Sequence, residues 1–411
     1  MKKSCKIAFV SNYINHHQIP FCDCMYRLLE GAFVFVQTEG MEQERVQMGW
    51  HASRRPAYVR CWYEEPEACR QLVLDCDVAL FGGTDDESYI EERLRAGKPV
   101  MRVSERLYKT GQWKAVSPRG LLKKYHDHTR YRKSPVWLLC AGAYVASDFH
   151  IVRAYPGKMY CWGYFPETRR YDLDALFSGK GYGEEKIPYL LWAARMIDWK
   201  HPELAVETAR TLWERGLRFH MDIIGDGELR AMAEGLAREY GLEGCVSFPG
   251  YQPPEEVRRY MEQADIFLFT SDRQEGWGAV ANEAMNSGCA LVADHMIGAV
   301  PYLVKNGENG LIYQDGRAEQ LFAAAERLVR DRTLCRELGR AAYLTITRCW
   351  NAENAAGRLL DLIAGITGLS CGEGDGAKAG QDVAEGALRA VEKSRFFPCA
   401  PAEVLSERFR G

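Results

Sequence analysis

The sequence predicts a parallel α/β protein built in two halves. Short apolar runs alternate with amphipathic stretches of helical length, the pattern of strands connected by crossover helices. That alternation lapses between residues 165 and 186 (FPETRRYDLDALFSGKGYGEEK), where proline, glycine and charge dominate as in a linker. Several apolar runs also end in polar clusters, as strands of open parallel sheets do where they face a ligand crevice.

In the first half, residues 6–11 (KIAFVS) read as a buried strand. A polar loop follows with Asn12, Asn15, His16 and His17, and then a helix over 19–29. Further strands are expected at 33–37, 78–82, 100–104 and 143–147. Their polar ends are Gly82-Gly83-Thr84-Asp85-Asp86, Ser104-Glu105-Arg106 and Ser147-Asp148. After the linker, strands are expected at 189–193, 219–225, 246–249, 266–271 and 290–293. Helices are expected at 202–215, 228–240, 254–263, 279–287 and 318–330. A helix over 343–363 closes the ordered part. Residues 367–386 are rich in glycine, alanine and acid and read as a flexible tail, with one short helix in 387–410. Two halves on one hinge suggest a ligand cleft between them.

At 411 residues the chain has room for two domains of about 150 residues with some remainder. The balance of 53 Lys+Arg against 56 Asp+Glu, a net charge of −3, argues against bulk nucleic-acid binding. The longest apolar run, residues 136–146, has eleven residues, short of the ~20 that span a bilayer. With no leader pattern at the start, a cytoplasmic protein is expected. The 14 cysteines are scattered without a C-x-x-C pair, which favours reduced, buried thiols over a metal centre.

The most informative stretch is TSDRQEGWGAVANEAMNSG, residues 270–288. A buried strand (IFLFT) ends in a loop with Glu275 beside Gly276, Trp277 and Gly278, and a helix then carries Glu283 in its early turns. Glycines at such a junction let backbone amides approach a ligand, and the helix start favours a phosphate. Glu275 and Glu283, eight residues apart, point toward one volume and suit pairs of sugar hydroxyls. Arg195 and Lys200 follow another strand (YLLWAARMIDWK) and suit a diphosphate clamp, Arg as a fork and Lys as a point charge. Gly225 and Gly227 form a second strand–glycine–helix junction, which by itself marks only a tight turn.

Together these residues resemble the carboxy-terminal, nucleotide-sugar-binding domain of retaining GT-B glycosyltransferases of family 4, the glycosyl transferases group 1 type. The family pattern E-G-F-G-x-x-x-x-E-A-M-x-x-G appears as EGWGAVANEAMNSG. R-x4-K appears at Arg195 and Lys200, G-x-G at Gly225 and Gly227, F-x-G at Phe248-Pro249-Gly250, and the late N-G at Asn309-Gly310. The resemblance covers residues 187–363. It implies two Rossmann-like α/β domains facing a cleft, with a retaining transferase of the hexosyltransferase type moving a sugar from a nucleotide-diphosphate sugar to a glycan or polyprenyl-linked acceptor. Cell-surface polysaccharide assembly is the implied setting. In that frame residues 1–168 bind the acceptor, 169–186 link, and 187–345 bind the donor. Residues 346–366 cross back toward the first domain, and 367–411 form the tail.

Residue by residue, the resemblance implies that Glu275 and the amides of Gly276, Trp277 and Gly278 hold the donor sugar. Glu283 binds the ribose, and Arg195 and Lys200 stabilise the diphosphate as its bond breaks. Gly250 and Tyr251 lie where the family contacts the base. No metal or other cofactor is required. Isoleucine stands before Gly298 where the family often has a second glycine, and Trp277 replaces the usual phenylalanine. Two competing readings are an inactive nucleotide-sugar-binding module and a nucleotide-sugar epimerase.

In the first half the family's glycine-rich loop is replaced by Ser11–Gln18. His16 and His17 suit an acid–base or acceptor role, or a local hydrogen bond at a helix entry. Glu105 and His150 are further acceptor-side candidates from the strand-end rule. Asp75/Asp77 and Asp172/Asp174 have D-x-D spacing, yet one pair precedes a strand and the other lies in the linker, so both read as solvated acids. The stretch from Arg119 to Lys133 carries six Lys/Arg against one Asp, with Ser117-Pro118 as a helix start. It reads either as a solvated helix or as a peripheral contact with an anionic membrane, at the inner face.

Overall fold

The computed structural model describes residues 5–41, 55–180 and 186–369. They form two compact units: the residues up to 167 together with those from 349 onward, and residues 168–348. The expected tail helix over 387–410 lies outside the described residues.

The first unit is a seven-stranded sheet in the order β3-β2-β1-β4-β5-β6-β7. Its strands are β1 Ile7–Ser11, β2 Phe33–Gln37, β3 Val59–Cys61, β4 Val78–Phe81, β5 Val100–Ser104, β6 Val136–Ala141 and β7 Met159–Trp162. All described pairings are parallel. All five residues of β1 are buried, so a continuous apolar run rather than an alternating one marks it, as expected for a strand covered on both faces. The edge strand β3 is three residues long with Arg60 exposed at its centre, which leaves little apolar signal in the sequence.

The strand expected at 143–147 is wrong. The apolar run of 136–146 divides into β6, which pairs with β5 and β7, and the start of a helix, Val145–Ile151. Apolarity alone does not separate a buried strand from a buried helix turn. The single helix expected over 343–363 is also two, Arg332–Arg348 and Ala352–Thr367. Asn351 breaks it in an extended conformation, and its side chain accepts from Asn354 N (2.9 Å) as a new N-cap. Trp350 stacks on Phe165 at 6.0 Å, and the last helix packs against Ile19–Leu28 of the first unit.

The second unit is a six-stranded parallel sheet ordered β10-β9-β8-β11-β12-β13. Its strands are β8 Tyr189–Ala193, β9 His220–Ile224, β10 Val246–Gly250, β11 Ile266–Phe269, β12 Ala290–Asp294 and β13 Leu311–Tyr313. Helices Pro202–Glu214 and Ala318–Arg330 bury apolar stripes against it.

Residues 168–180, which read as linker, are ordered on this unit. Asn286 receives Arg169 N (2.8 Å) and returns a bond to Arg169 O (2.9 Å), while Lys180, 1% exposed, donates to Met261 O and Ala264 O. The charges that suggested solvation are partnered. Asp172 caps the helix Leu173–Gly179 by accepting from Ala175 N (3.0 Å), and Asp77 accepts from Lys6 N (2.8 Å). Asp75, Asp172 and Asp174 are nonetheless exposed, as expected of solvated acids, and Asp77 alone is half-buried.

Among the described residues no helix is long and apolar enough to cross a membrane. In the second sheet the chain runs β8, β9, β10 to one side and then returns to lay β11, β12 and β13 on the other. The strand order therefore reverses between β8 and β11. In open parallel sheets the ligand crevice opens at the carboxyl ends of such a pair.

Candidate active site

Four adjacent parallel strands, β10, β9, β8 and β11, deliver their following loops to one edge of the second sheet. Arg195 and Lys200 follow β8, Gly225 and Gly227 follow β9, Gly250 closes β10 before Tyr251, and Glu275 to Gly278 follow β11. Glu283 lies in the first turn of the helix Val280–Asn286. One unit thus carries every donor-side residue singled out in the sequence.

Lys200 Nζ bonds Glu275 across 75 positions of sequence, with side chains 12% and 11% exposed. Lys200 Nζ also sits 4.2 Å from the Trp199 ring centroid, and the exposed Arg195 guanidinium lies 6.0 Å from the same ring. Trp199 was missed in the sequence, although an aromatic between two spaced cations is a legible signal. Thr270 was missed as well. Its hydroxyl accepts from the buried Trp192 Nε1 (2.7 Å) and lies within donating distance of Lys200 O (2.7 Å) and His201 O (3.1 Å). The Asp272 amide donates to Trp199 O (3.0 Å), closing the β8 and β11 loops onto each other.

The glycine pair after β9 serves close packing. A Cβ on Gly225 would lie 1.8 Å from Ala194 O, and one on Gly227 2.5 Å from Met196 O. Met196 N donates to Asp226 O (2.8 Å) and Leu229 N to Met196 O (2.9 Å), so the β9 loop braces the turn that carries Arg195. Gly250 O accepts from Gly225 N (3.0 Å), and Tyr251 is 44% exposed.

Trp277 does not present a flat surface to solvent. Its indole is 1% exposed and donates to Asn282 Oδ1 (2.9 Å), while Trp277 O accepts from Ala299 N (3.0 Å). It anchors the loop between Glu275 and the Glu283 helix. Glu275 O accepts from Gly298 N (3.3 Å), so the same neighbouring segment, 298–299, braces both ends of the turn.

In the first unit, His16 and His17 lie in the loop after β1 with ring centroids 3.8 Å apart, and Asn15 Oδ1 accepts from His17 N (3.0 Å). Glu105 follows β5 and accepts from Tyr164 OH (2.6 Å) while pairing with Lys109. His150 is not at a strand end: it is exposed in the last turn of the helix Val145–Ile151. Asp148 on that helix is fully buried, pairs with Arg106 (3.5 Å) and accepts from Tyr108 N (3.1 Å) and Gln112 Nε2 (3.0 Å).

Three cations of the basic stretch, Arg119, Lys123 and Lys124, lie on the helix Pro118–Asp127, whose Ser117 cap accepts from Gly120 N, while Arg130, Arg132 and Lys133 follow it. None of its residues is buried, and Val116 (79%), Leu122 (64%) and Tyr125 (55%) are exposed.

Residues 179–345 match the family described as Glycosyl transferases group 1. The amylovoran biosynthesis glycosyltransferase AmsK of Erwinia amylovora is 34% identical over 144 residues, which is 34% of this chain and 35% of that protein. The lipopolysaccharide core biosynthesis glycosyltransferase LpsE of Rhizobium meliloti is 30% identical over 142 residues, 34% of this chain and 41% of that protein. The matched stretch spans about a third of the length of the curated relatives. Among solved structures, Anabaena Alr3699/HepE in complex with UDP and glucose aligns at TM-score 0.61 and 13% identity, covering 88% of this chain and 99% of that one. The lipopolysaccharide outer core galactosyltransferase WaaB aligns at 0.62 and 15%, with the same coverage. Sheet orders, switch point and these likenesses converge: the chain has the GT-B fold, and its second unit carries the match to glycosyl transferases group 1.

Proposed function

We propose that this protein is a retaining glycosyltransferase that moves a sugar from a nucleotide-diphosphate sugar to a glycan or lipid-linked acceptor in building a cell-surface polysaccharide. The observation that carries this reading is the pairing of Lys200 with Glu275 beside Arg195, at the carboxyl edge of adjacent strands at the switch point. The names of AmsK and LpsE support the polysaccharide setting, and the UDP and glucose held by HepE support the donor class.

In the reaction the bond from the anomeric carbon to the diphosphate oxygen breaks, and the acceptor oxygen bonds that carbon on the same face. The acceptor's proton passes to the leaving phosphate. Arg195 and Lys200 stabilise the charge gathering on the diphosphate, a preorganised electrostatic role. Glu275 holds sugar hydroxyls, Glu283 holds the ribose, and Gly250 and Tyr251 face the base. His16, His17 and Glu105 lie on the acceptor side. Two protein cations at the diphosphate make a metal dispensable in this scheme.

Glu283→Ala tests the donor site. In a thermal-shift panel of UDP, GDP, ADP and their sugar conjugates, run in EDTA, one nucleotide series stabilises the wild type. The variant loses that shift, because a ribose contact is common to nucleotide and sugar conjugate. An equal shift in both proteins removes Glu283 from the site, and no shift with any nucleotide overturns the transferase reading.

The exposed apolar and basic helix Pro118–Asp127 supports a peripheral contact with the anionic cytoplasmic face of a membrane, where a lipid-linked acceptor resides. Leu122→Asp is expected to lower sedimentation with anionic vesicles about tenfold without changing Tm, since Leu122 packs little in the fold. Equal sedimentation of both proteins, or binding to neutral vesicles alone, argues against the contact.

A further inference from the structure

The turn that carries Lys200 ends at His201, whose backbone is left-handed at φ 52° and ψ 58° immediately before Pro202. Only a few per cent of non-glycine residues visit that region, with Asn, Asp and His enriched among them, and a following proline narrows the choice further. The side chain shows what holds it there. His201 Nδ1 lies 2.7 Å from Glu203 Oε1 on the first turn of the helix Pro202–Glu214, and Nε2 lies 3.8 Å from Asp272 Oδ2 in the loop that leads to Glu275. The first contact is a hydrogen bond and the second an ion-pair distance. Asp272 and Glu203 hold the imidazole up to about 10, so it is charged at neutral pH.

We propose that His201 is a positioning residue: its imidazole ties the turn bearing Lys200 to the loop bearing Glu275, and so sets the geometry in which both meet the donor. The proposal rests on the reading of Lys200 and Glu275 as donor contacts. Asp272 is the centre of the tie. Its amide donates to Trp199 O (3.0 Å), its carboxylate accepts from Gln274 N (2.7 Å), and Glu275 N donates to its carbonyl (3.1 Å). A cation held against this carboxylate stiffens the segment from 272 to 275. Lys200 stands one residue before His201, so a slack turn would misplace its ammonium relative to the diphosphate. Displacements of that kind cost rate more than binding, because the transition state is the species that needs the charge in place.

The test uses His201→Asn, since Asn tolerates the left-handed backbone, together with Asp272→Asn and the double variant. Two readouts are taken. Amide hydrogen exchange over residues 270–276 reports the tie whether or not a substrate is known, and donor turnover reports its consequence. Expected are exchange faster by about tenfold at the Asp272 amide and kcat lower by about tenfold with donor KM within about twofold. The double variant should be no slower than either single one, since one tie is removed in all three. Unchanged exchange in His201→Asn overturns the tie. Faster exchange with full kcat, or losses that multiply in the double variant, overturns the positioning role. Nucleotide stabilisation of the wild type, run beside these, separates the two readings: its absence condemns the donor site, while the exchange result still decides the tie.

Discussion

Glu275→Gln is expected to lower both sugar transfer and donor hydrolysis by about 10²–10³-fold, with free-nucleotide affinity within about threefold of wild type. Glu275 is 9% exposed and bonded to Lys200, and it opens the turn braced by Trp277 and by residues 298–299. In the proposed function its carboxylate accepts from donor-sugar hydroxyls, whereas free UDP, GDP or ADP presents hydroxyls on the ribose alone. Glutamine fills the same volume and keeps one acceptor oxygen for the Lys200 ammonium, so the loop loses less stability than in Lys200→Ala while the carboxylate charge is lost. The measurement is a pair of assays: turnover of the donor that stabilises the wild type, and titration of its nucleotide. Loss of nucleotide affinity equal to that in Glu283→Ala would show that the two carboxylates do not divide sugar and ribose between them. Full turnover would remove Glu275 from the chemistry.

Lys200→Ala has two separable effects. The first is on stability: removing one partner of a buried pair leaves the other carboxylate desolvated without compensation, a loss of about 3–5 kcal/mol. The second is on chemistry: under the proposed function the variant lacks the ammonium assigned to the diphosphate and keeps Arg195 alone, a loss of about 10²–10³-fold in turnover. A second variant separates them. In Lys200→Met with Glu275→Gln neither partner is charged, so denaturation should recover most of the lost stability while turnover stays low. Recovery of turnover along with stability would mean that Lys200 acts by supporting the loop. Wild-type stability in Lys200→Ala would mean that the contact with Glu275 contributes little to the fold.

The central strands were legible because they are buried on both faces. Runs such as KIAFVS, YLLWA and IFLF carry no polar interruption, and both sheet centres form where those runs predict. The edges were not. β3 is VRC with its arginine in solvent, and neither it nor β7 rises above its surroundings. The run of residues 136–146 merged a strand with the start of a helix, because apolarity carries no period when both are buried. Residues 168–180 looked like linker because they are charged. Arg169, however, pairs with Glu255 and Glu262, and Lys180 caps backbone carbonyls, which composition does not reveal.

The residue types of the candidate site stand in the sequence by themselves. One carboxylate, two cations and the glycines follow strand ends and the second carboxylate opens a helix, and their spacing follows from local rules about loops and helix starts. Which of them touch was decided by the sheet. Lys200 meets Glu275 because β8 and β11 are neighbours in space though three strands apart in sequence. Trp199, Thr270, His201 and Asp272 join the site for the same reason, each linking the two loops that this adjacency brings together. A local pattern is written by the hydrogen bonds and burial of neighbouring residues. A pairing across 75 positions exists only once both strands are in one sheet, and no periodicity in the chain records it.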